Sequence, residues 1–151
     1  MYLRTNAEFT FKQKEQLKYE LGINPGGKVQ KVIDSSTIHY LRLLMPQDSG
    51  MMMANTRSPE PGLVQVETPY AHYMNEGILF VDPKYNVGAF HNPITGRFWS
   101  RANVKKVPSN RSLTYHGGPN RGSHFVERTL TEHFDDILNN ANKEVKKWLN
   151  K

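Results

Sequence analysis

The chain has 151 residues, with 20 Lys and Arg against 14 Asp and Glu, and so a formal net charge of +6. This length predicts a single domain over residues 1–151 with one hydrophobic core. The absence of cysteine excludes disulfides, thiolate metal sites and cysteine nucleophiles. No apolar run approaches the roughly 20 residues of a membrane span, and residues 1–11 lack the apolar segment of a signal peptide. We therefore expect a soluble protein of intracellular origin that makes no membrane contact.

The N-terminal third is predicted to be helical. Residues 9–21 form a short helix that Gly22 ends as a C-terminal cap. A second helix is expected from about Lys28 to Leu44, because its apolar residues recur at helical spacing. Pro46 ends it, since the residue before a proline is disfavoured in helical conformation. The apolar face of this helix comprises Val29, Val32, Ile33, Tyr40, Leu41 and Leu44.

Short elements are predicted for the next part of the chain. Residues 45–50 are typical of a turn, and the three methionines at 51–53 are interpreted as a buried edge of the core. Residues 63–67 alternate between apolar and polar, which predicts a strand. Residues 69–77 indicate a short helical turn closed by Gly77, and residues 78–81 a further strand.

Residues 82–122 are punctuated by proline and glycine, which predicts a long hairpin or arm inserted in the domain. Its expected anchors are aromatic: Phe90, Phe98, Trp99 and Tyr115. An amphipathic helix is then predicted from about Ser123 to the C-terminus. The sequence therefore predicts an α+β fold, a small antiparallel sheet packed with N-terminal helices and a long C-terminal helix. The apolar stripe of that helix comprises Val126, Leu130, Phe134, Ile137, Leu138, Ala141, Val145, Trp148 and Leu149.

No catalytic, cofactor-binding or metal-binding residue is predicted. The histidines lack the spacing of a zinc site, and neighbouring Asp135 and Asp136 point in different directions on a helix. The glycines before Lys28 follow a helix rather than a strand, and Val29 stands where a phosphate-binding loop needs serine or threonine. The six histidines are His39, His72, His91, His116, His124 and His133.

Nucleic-acid binding is the alternative that the residues leave open. Basic and aromatic side chains alternate along the arm, as they do in single-strand and RNA binders. A small toxin-like nuclease using His124, Glu127 and Arg128 is the enzymatic form of this alternative. The basic residues are Lys84, Arg97, Arg101, Lys105, Lys106, Arg111 and Arg121, and the aromatic residues are Tyr85, Phe90, Phe98, Trp99 and Tyr115.

Several segments resemble, in this order, the minor capsid and head–tail joining (neck or tail-completion) proteins of tailed bacteriophages. The helix at 29–35 leads to Pro46 and Asp48-Ser49-Gly50, where Ser49 replaces the threonine usual in that family. The segment at 68–77 is similar to the family's Tyr-Ala followed by Glu-Gly. The segments at 111–115 and 122–128 complete a resemblance that extends from about Leu21 to Leu138.

This resemblance implies a non-enzymatic structural protein of the virion, located in the neck after assembly in the bacterial host cytoplasm. It implies a homo-oligomeric ring, hexameric or dodecameric, in contact with portal-side and tail-terminator or tail-tube proteins. It implies no catalytic residue and no cofactor. The net charge of +6 further suggests non-specific contact with genomic DNA in the channel of such a ring.

Overall fold

The computed structural model describes residues 11–150. Its helices are α1 (Phe11–Glu20), α2 (Lys28–Leu44), α3 (Met51–Ala54), α4 (Ala71–Glu76), α5 (Phe125–Glu132) and α6 (Phe134–Leu149). Its strands are β1 (Thr56–Glu60), β2 (Leu63–Val66), β3 (Ile78–Val81), β4 (Phe90–His91), β5 (Phe98–Trp99) and β6 (Val107–Ser112). Three antiparallel pairs result: β1 with β2, β3 with β6, and β4 with β5. The predicted α+β class is confirmed.

Helix α2 has the predicted bounds, and the turn before it has the predicted glycine cap. Gly22 adopts φ +68°, and its N–H donates to Tyr19 while that of Ile23 donates to Lys18. These two hydrogen bonds form a Schellman motif. Helix α1 begins at Phe11 in the part of the chain that the structure describes, and the predicted start at Phe9 lies outside that part.

The core is small and lies where α2, α3 and α5 meet. Its buried members are Leu41, Leu44, Met45, Met52 and Phe125. Met52 alone of the three consecutive methionines is buried, while Met51 is exposed, so the prediction of a buried edge holds for one side chain. Val64 and Val66 of β2, Ala71 and Met74 of α4, and Met53 pack against this cluster.

The C-terminal helix begins later than predicted. The long helix α6 starts at Phe134, and the shorter α5 precedes it, because His133 between them adopts φ −122° and ψ 13°. The imidazole of His133 stacks on the ring of Tyr40 of α2, with centroids 4.4 Å apart. The helix thus breaks at a residue that contacts a distant part of the chain, although no glycine or proline marks the break in the sequence.

The arm is shorter than predicted, and it contains two similar turns. In each, an Asp or Asn before a proline accepts two backbone N–H groups: Asp82 from Lys84 (2.9 Å) and Tyr85 (3.2 Å), Asn92 from Ile94 (2.9 Å) and Thr95 (3.2 Å). The second turn closes the β4–β5 hairpin. Strand β6 then returns to pair with β3, so the chain after Lys106 belongs to the body of the domain.

Candidate functional site

The surface of the domain carries an open apolar groove between α2, β2, α4 and α5. We call it the helical groove, and its volume is about 470 Å³. Buried Leu41 and Phe125 contribute to its lining, and the exposed side chains of Val126 and Leu130 belong to one of its walls. The complete lining is Thr37, Leu41, Val64, Gln65, Val66, Ala71, His72, Asn75, Phe125, Val126, Thr129 and Leu130.

Apolar side chains are exposed on both α5 and α6, and we call them the apolar wall. Val126, Leu130, Phe134 and Leu138 recur every fourth residue, with exposed fractions of 43%, 56%, 56% and 46%. The apolar residues predicted for the C-terminal helix therefore fall into two groups. Ile137 and Ala141 are buried against α2, whereas these four side chains face solvent. A large exposed apolar patch is typical of an interaction surface.

A second apolar surface lies at the end of the β4–β5 hairpin. We call Ile94 and Phe98 the hairpin tip; they are 93% and 72% exposed. Behind them, the ring of Trp99 stacks on Phe90 with centroids 4.5 Å apart, and Tyr85 meets Phe90 edge-on. The aromatic anchors Phe90 and Trp99 thus hold the hairpin together. The ring of Phe98 lies 4.9 Å from that of His91 and stays largely exposed.

The base of the hairpin is fixed by a buried ion pair. The carboxylate of Asp82 accepts hydrogen bonds from Nε (2.6 Å) and Nη2 (2.8 Å) of Arg101. These bonds, together with the backbone N–H groups of Lys84 and Tyr85, lower the pKa of Asp82 to about 2. The guanidinium also lies over the ring of Tyr85, 5.1 Å from its centroid.

Most of the seven basic side chains predicted along the arm bind other groups of the same chain. Arg101 binds Asp82, and Lys106 and Arg111 donate to the carbonyls of Gly88 and Asn86. Arg121 Nη1 donates to the carbonyls of Arg42 (2.8 Å) and Met45 (2.6 Å) at the end of α2. Four of the seven basic side chains therefore have structural partners, which weakens the case for a continuous phosphate-binding path. Tyr115 is likewise a body residue, because its hydroxyl donates to Met74 at 2.9 Å.

Two residues of the nuclease alternative, His124 and Glu127, connect the start of α5 to α4, and the third, Arg128, forms an ion pair within α5. The His124 N–H donates to Asn75 O at 2.7 Å, and Glu127 accepts from Asn75 Nδ2 at 3.1 Å. Arg128 binds Glu132 with its Nε at 2.7 Å. Hydrogen bonding lowers the pKa of Glu127. The side chains of Glu127 and Arg128 thus have separate partners within the chain.

Within residues 11–150, no group of three or more His, Asp or Glu side chains could hold a metal ion. Asp136 instead lies 3.1 Å from His133 Nδ1, and Asp135 is exposed on another face. The glycine at position 27, before Lys28, permits a close approach of two backbone segments, since a Cβ on Gly27 would collide with the backbone of Gly22.

The helices of residues 11–150 include none that is long and apolar enough to cross a membrane. No protein-family model, curated protein or solved structure matches the chain. The helical groove, the apolar wall beside it and the hairpin tip are therefore the surfaces on which a functional argument rests.

Proposed function

We propose that this chain is a non-enzymatic structural subunit of a tailed-bacteriophage virion, one copy of a ring that joins the portal-bearing head to the tail. The observation that carries the proposal is the amount of apolar surface left open on a small core. Twenty large hydrophobic side chains are exposed among the described residues. A subunit that is completed by its neighbours is the ordinary context for such a surface.

The exposed surface area of the chain can be compared with the area expected for a compact monomer of the same mass. The whole chain exposes 11482 Å², whereas a compact monomer of 17.4 kDa exposes about 7,900 Å². If roughly 2,000 Å² is set aside for the residues outside 11–150, an excess of about 2,000 Å² remains over a compact 140-residue domain. A ring subunit has two neighbours and buries about 800 Å² of its own surface against each. The excess is sufficient for both contacts.

The segments that resemble connector proteins lie at the joints of the core. Gly50 adopts φ +78° immediately before α3, and Gly77 adopts φ +77° immediately after α4. Asn75 of α4 accepts from the backbone N–H groups of His124 and Val126 at the start of α5. The resemblance therefore falls on residues that set the positions of α3, α4 and α5.

The experiment that tests the proposal is cryo-electron microscopy of particles from a lysate that produces this chain. We expect its density as a ring between portal and tail tube, with the neighbouring neck proteins above and below. Intact particles that lack the chain would contradict the proposal. A nuclease assay with the parent and His124→Ala is the second measurement, and metal-independent or metal-dependent cleavage lost in the variant would favour the enzymatic alternative.

A further inference from the structure

We propose that the hairpin tip of one copy docks in the helical groove of a second copy of the same chain. In the proposed ring the contact is head-to-tail, since the tip of each copy enters the groove of the next. Repeated from copy to copy, such a contact closes a ring when the rotation between subunits permits it. The inference deepens the proposed function, since it names the contact through which the proposed ring assembles.

The donor surface is rigid and prominent. The turn at 92–97 is held by two hydrogen bonds to the Asn92 side chain and by a backbone bond from the Gly96 N–H to Asn92 O at 2.8 Å. Ile94 stands on this turn with 93% of its surface exposed. A preorganised apolar projection loses little conformational entropy when it binds, so its burial contributes efficiently to affinity.

The acceptor surface is an apolar recess of suitable size. The helical groove of about 470 Å³ falls in the range of cavities that bury small ligands or several side chains. Its floor includes Leu41 and Phe125, and its open wall includes Leu130. Aliphatic and aromatic anchors that fill such recesses dominate the energy of protein interfaces.

The charges around the two surfaces are complementary. Residues 82–106 contain five basic residues and one carboxylate, Asp82, which pairs with Arg101. Residues 125–137, which form α5 and the first turn of α6, contain four carboxylates and one arginine. Opposite charges orient the two copies tip to groove, and like charges disfavour tip-to-tip and groove-to-groove encounters. This charge pattern favours a second copy over nucleic acid, which the acidic helices would repel.

The occupant is a separate copy rather than the chain's own hairpin. The tip side chains remain 93% and 72% exposed, and the groove lining contains no residue of the hairpin. Donor and acceptor are therefore both unoccupied within one molecule. In a ring, each copy receives the tip of one neighbour in its groove and places its own tip in the groove of another.

Cysteine cross-linking tests the contact directly, because the parent chain has no cysteine. An Ile94→Cys chain is mixed with a Leu130→Cys chain and mildly oxidised at high protein concentration. The matched control replaces L130C with Leu149→Cys, whose parent side chain is 63% exposed on α6. We expect the I94C–L130C mixture to form disulfide-linked dimers at least about tenfold faster than the control, because the docked complex holds the thiols together. Equal rates would overturn the proposal.

Paired surface variants give an independent readout. Ile94→Asp damages only the tip and Leu130→Arg only the groove, so each variant alone should lose self-association roughly 30-fold or more. Mixed together, they retain one intact tip and one intact groove and should stop at a heterodimer in analytical ultracentrifugation. Circular dichroism checks that both variants remain folded. A mixture no more associated than its components would contradict the inference, as would association unaffected by either substitution.

The two proposals can fail separately. If the cross-links form but the chain is missing from virion necks, the proposed function is wrong and the proposed contact stands. If the chain forms a neck ring but its hairpin tips point away from the neighbouring grooves, the proposed contact is wrong and the proposed function stands. Nucleic acid that binds the parent chain and blocks the I94C–L130C cross-link would replace the second copy as the occupant.

Discussion

The buried carboxylate of Asp82 accepts four hydrogen bonds, two from Arg101 and two from backbone N–H groups of its own turn. It connects the first of the two similar turns to the returning strand of the hairpin. Asn92, in the second turn, accepts the corresponding two N–H groups without an arginine partner. The charged carboxylate of Asp82 thus fixes the base of the hairpin, whereas the neutral side chain of Asn92 only stabilises its own turn.

Acid should loosen the hairpin through this one group. The pKa of Asp82 is lowered from 3.8 to about 2, so its ion pair stabilises the hairpin fully above pH 4. That stabilisation falls as the pH decreases from about 4 and is lost below about 2. We expect Asp82→Asn to loosen the hairpin at neutral pH and to remove this part of the pH dependence. Trp99 fluorescence in a Trp148→Phe background measures it.

The control for this titration is Asp48→Asn, at an exposed aspartate in another turn. Its Trp99 signal should follow the parent at every pH. Superimposable pH profiles for Asp82→Asn and the parent would show that the Asp82–Arg101 pair does not hold the hairpin.

At the scale of elements, α2 ends in a cap supplied from far along the chain. Arg121 donates to the carbonyls of Arg42 and Met45, and its Nε donates to Gly117 O at 3.0 Å. Met45 is fully buried, so its carbonyl has little access to water without the guanidinium. Cationic side chains at a helix C-terminus also interact favourably with the helix dipole.

Removing this cap should destabilise the domain. We expect Arg121→Met to lower the free energy of unfolding by about 2 kcal/mol, because buried carbonyls lose their donors. Arg97→Met, at an exposed arginine of the hairpin, is the matched control and should stay within about 0.5 kcal/mol of the parent. Urea denaturation followed by circular dichroism compares the three proteins. Equal losses for both variants would show that Arg121 is a surface charge rather than a cap.

The sequence predicted those elements whose signals are local. Helix α2 has continuous helical spacing between a glycine-rich turn and Pro46, and Gly22 and Gly77 adopt the positive φ that their positions implied. The twin turns also had a local signal, since Asp82-Pro83 and Asn92-Pro93 lie ten residues apart with Asn or Gly at the same later position. That repetition could have identified the hairpin closure in place of a general arm.

Other elements depend on contacts that sequence patterns do not encode. Strands β1 and β6 contain Pro59 and Pro108, which argue against a strand. Both belong to two-stranded sheets, in which every strand is an edge strand and tolerates proline. The break at His133 accompanies a ring stack with Tyr40 of α2. The apolar stripe predicted α5 and α6 but did not reveal which members face α2 and which form the exposed wall. The helical groove combines four elements and had no sequence signal of its own.

At the scale of the whole molecule, the fold joins a small core to two open apolar surfaces. If the copies associate through these surfaces, binding stabilises the folded state by mass action. We expect the melting temperature of the parent to rise over a hundredfold increase in protein concentration, and that of Ile94→Asp to remain constant. Differential scanning calorimetry at several concentrations measures both. A parent melting temperature independent of concentration would argue against self-association in solution.

The small core also bears on how a cell would treat surplus copies. Nine apolar side chains are buried in the described part of one chain, so a free copy gains little protection from its own interior. Proteases act on chains that open transiently, and the population of open chains falls as binding stabilises the native state. Copies placed in an assembly would therefore persist while unplaced copies are degraded. The amount of the protein in the cell would then follow the number of assemblies being built rather than its rate of synthesis.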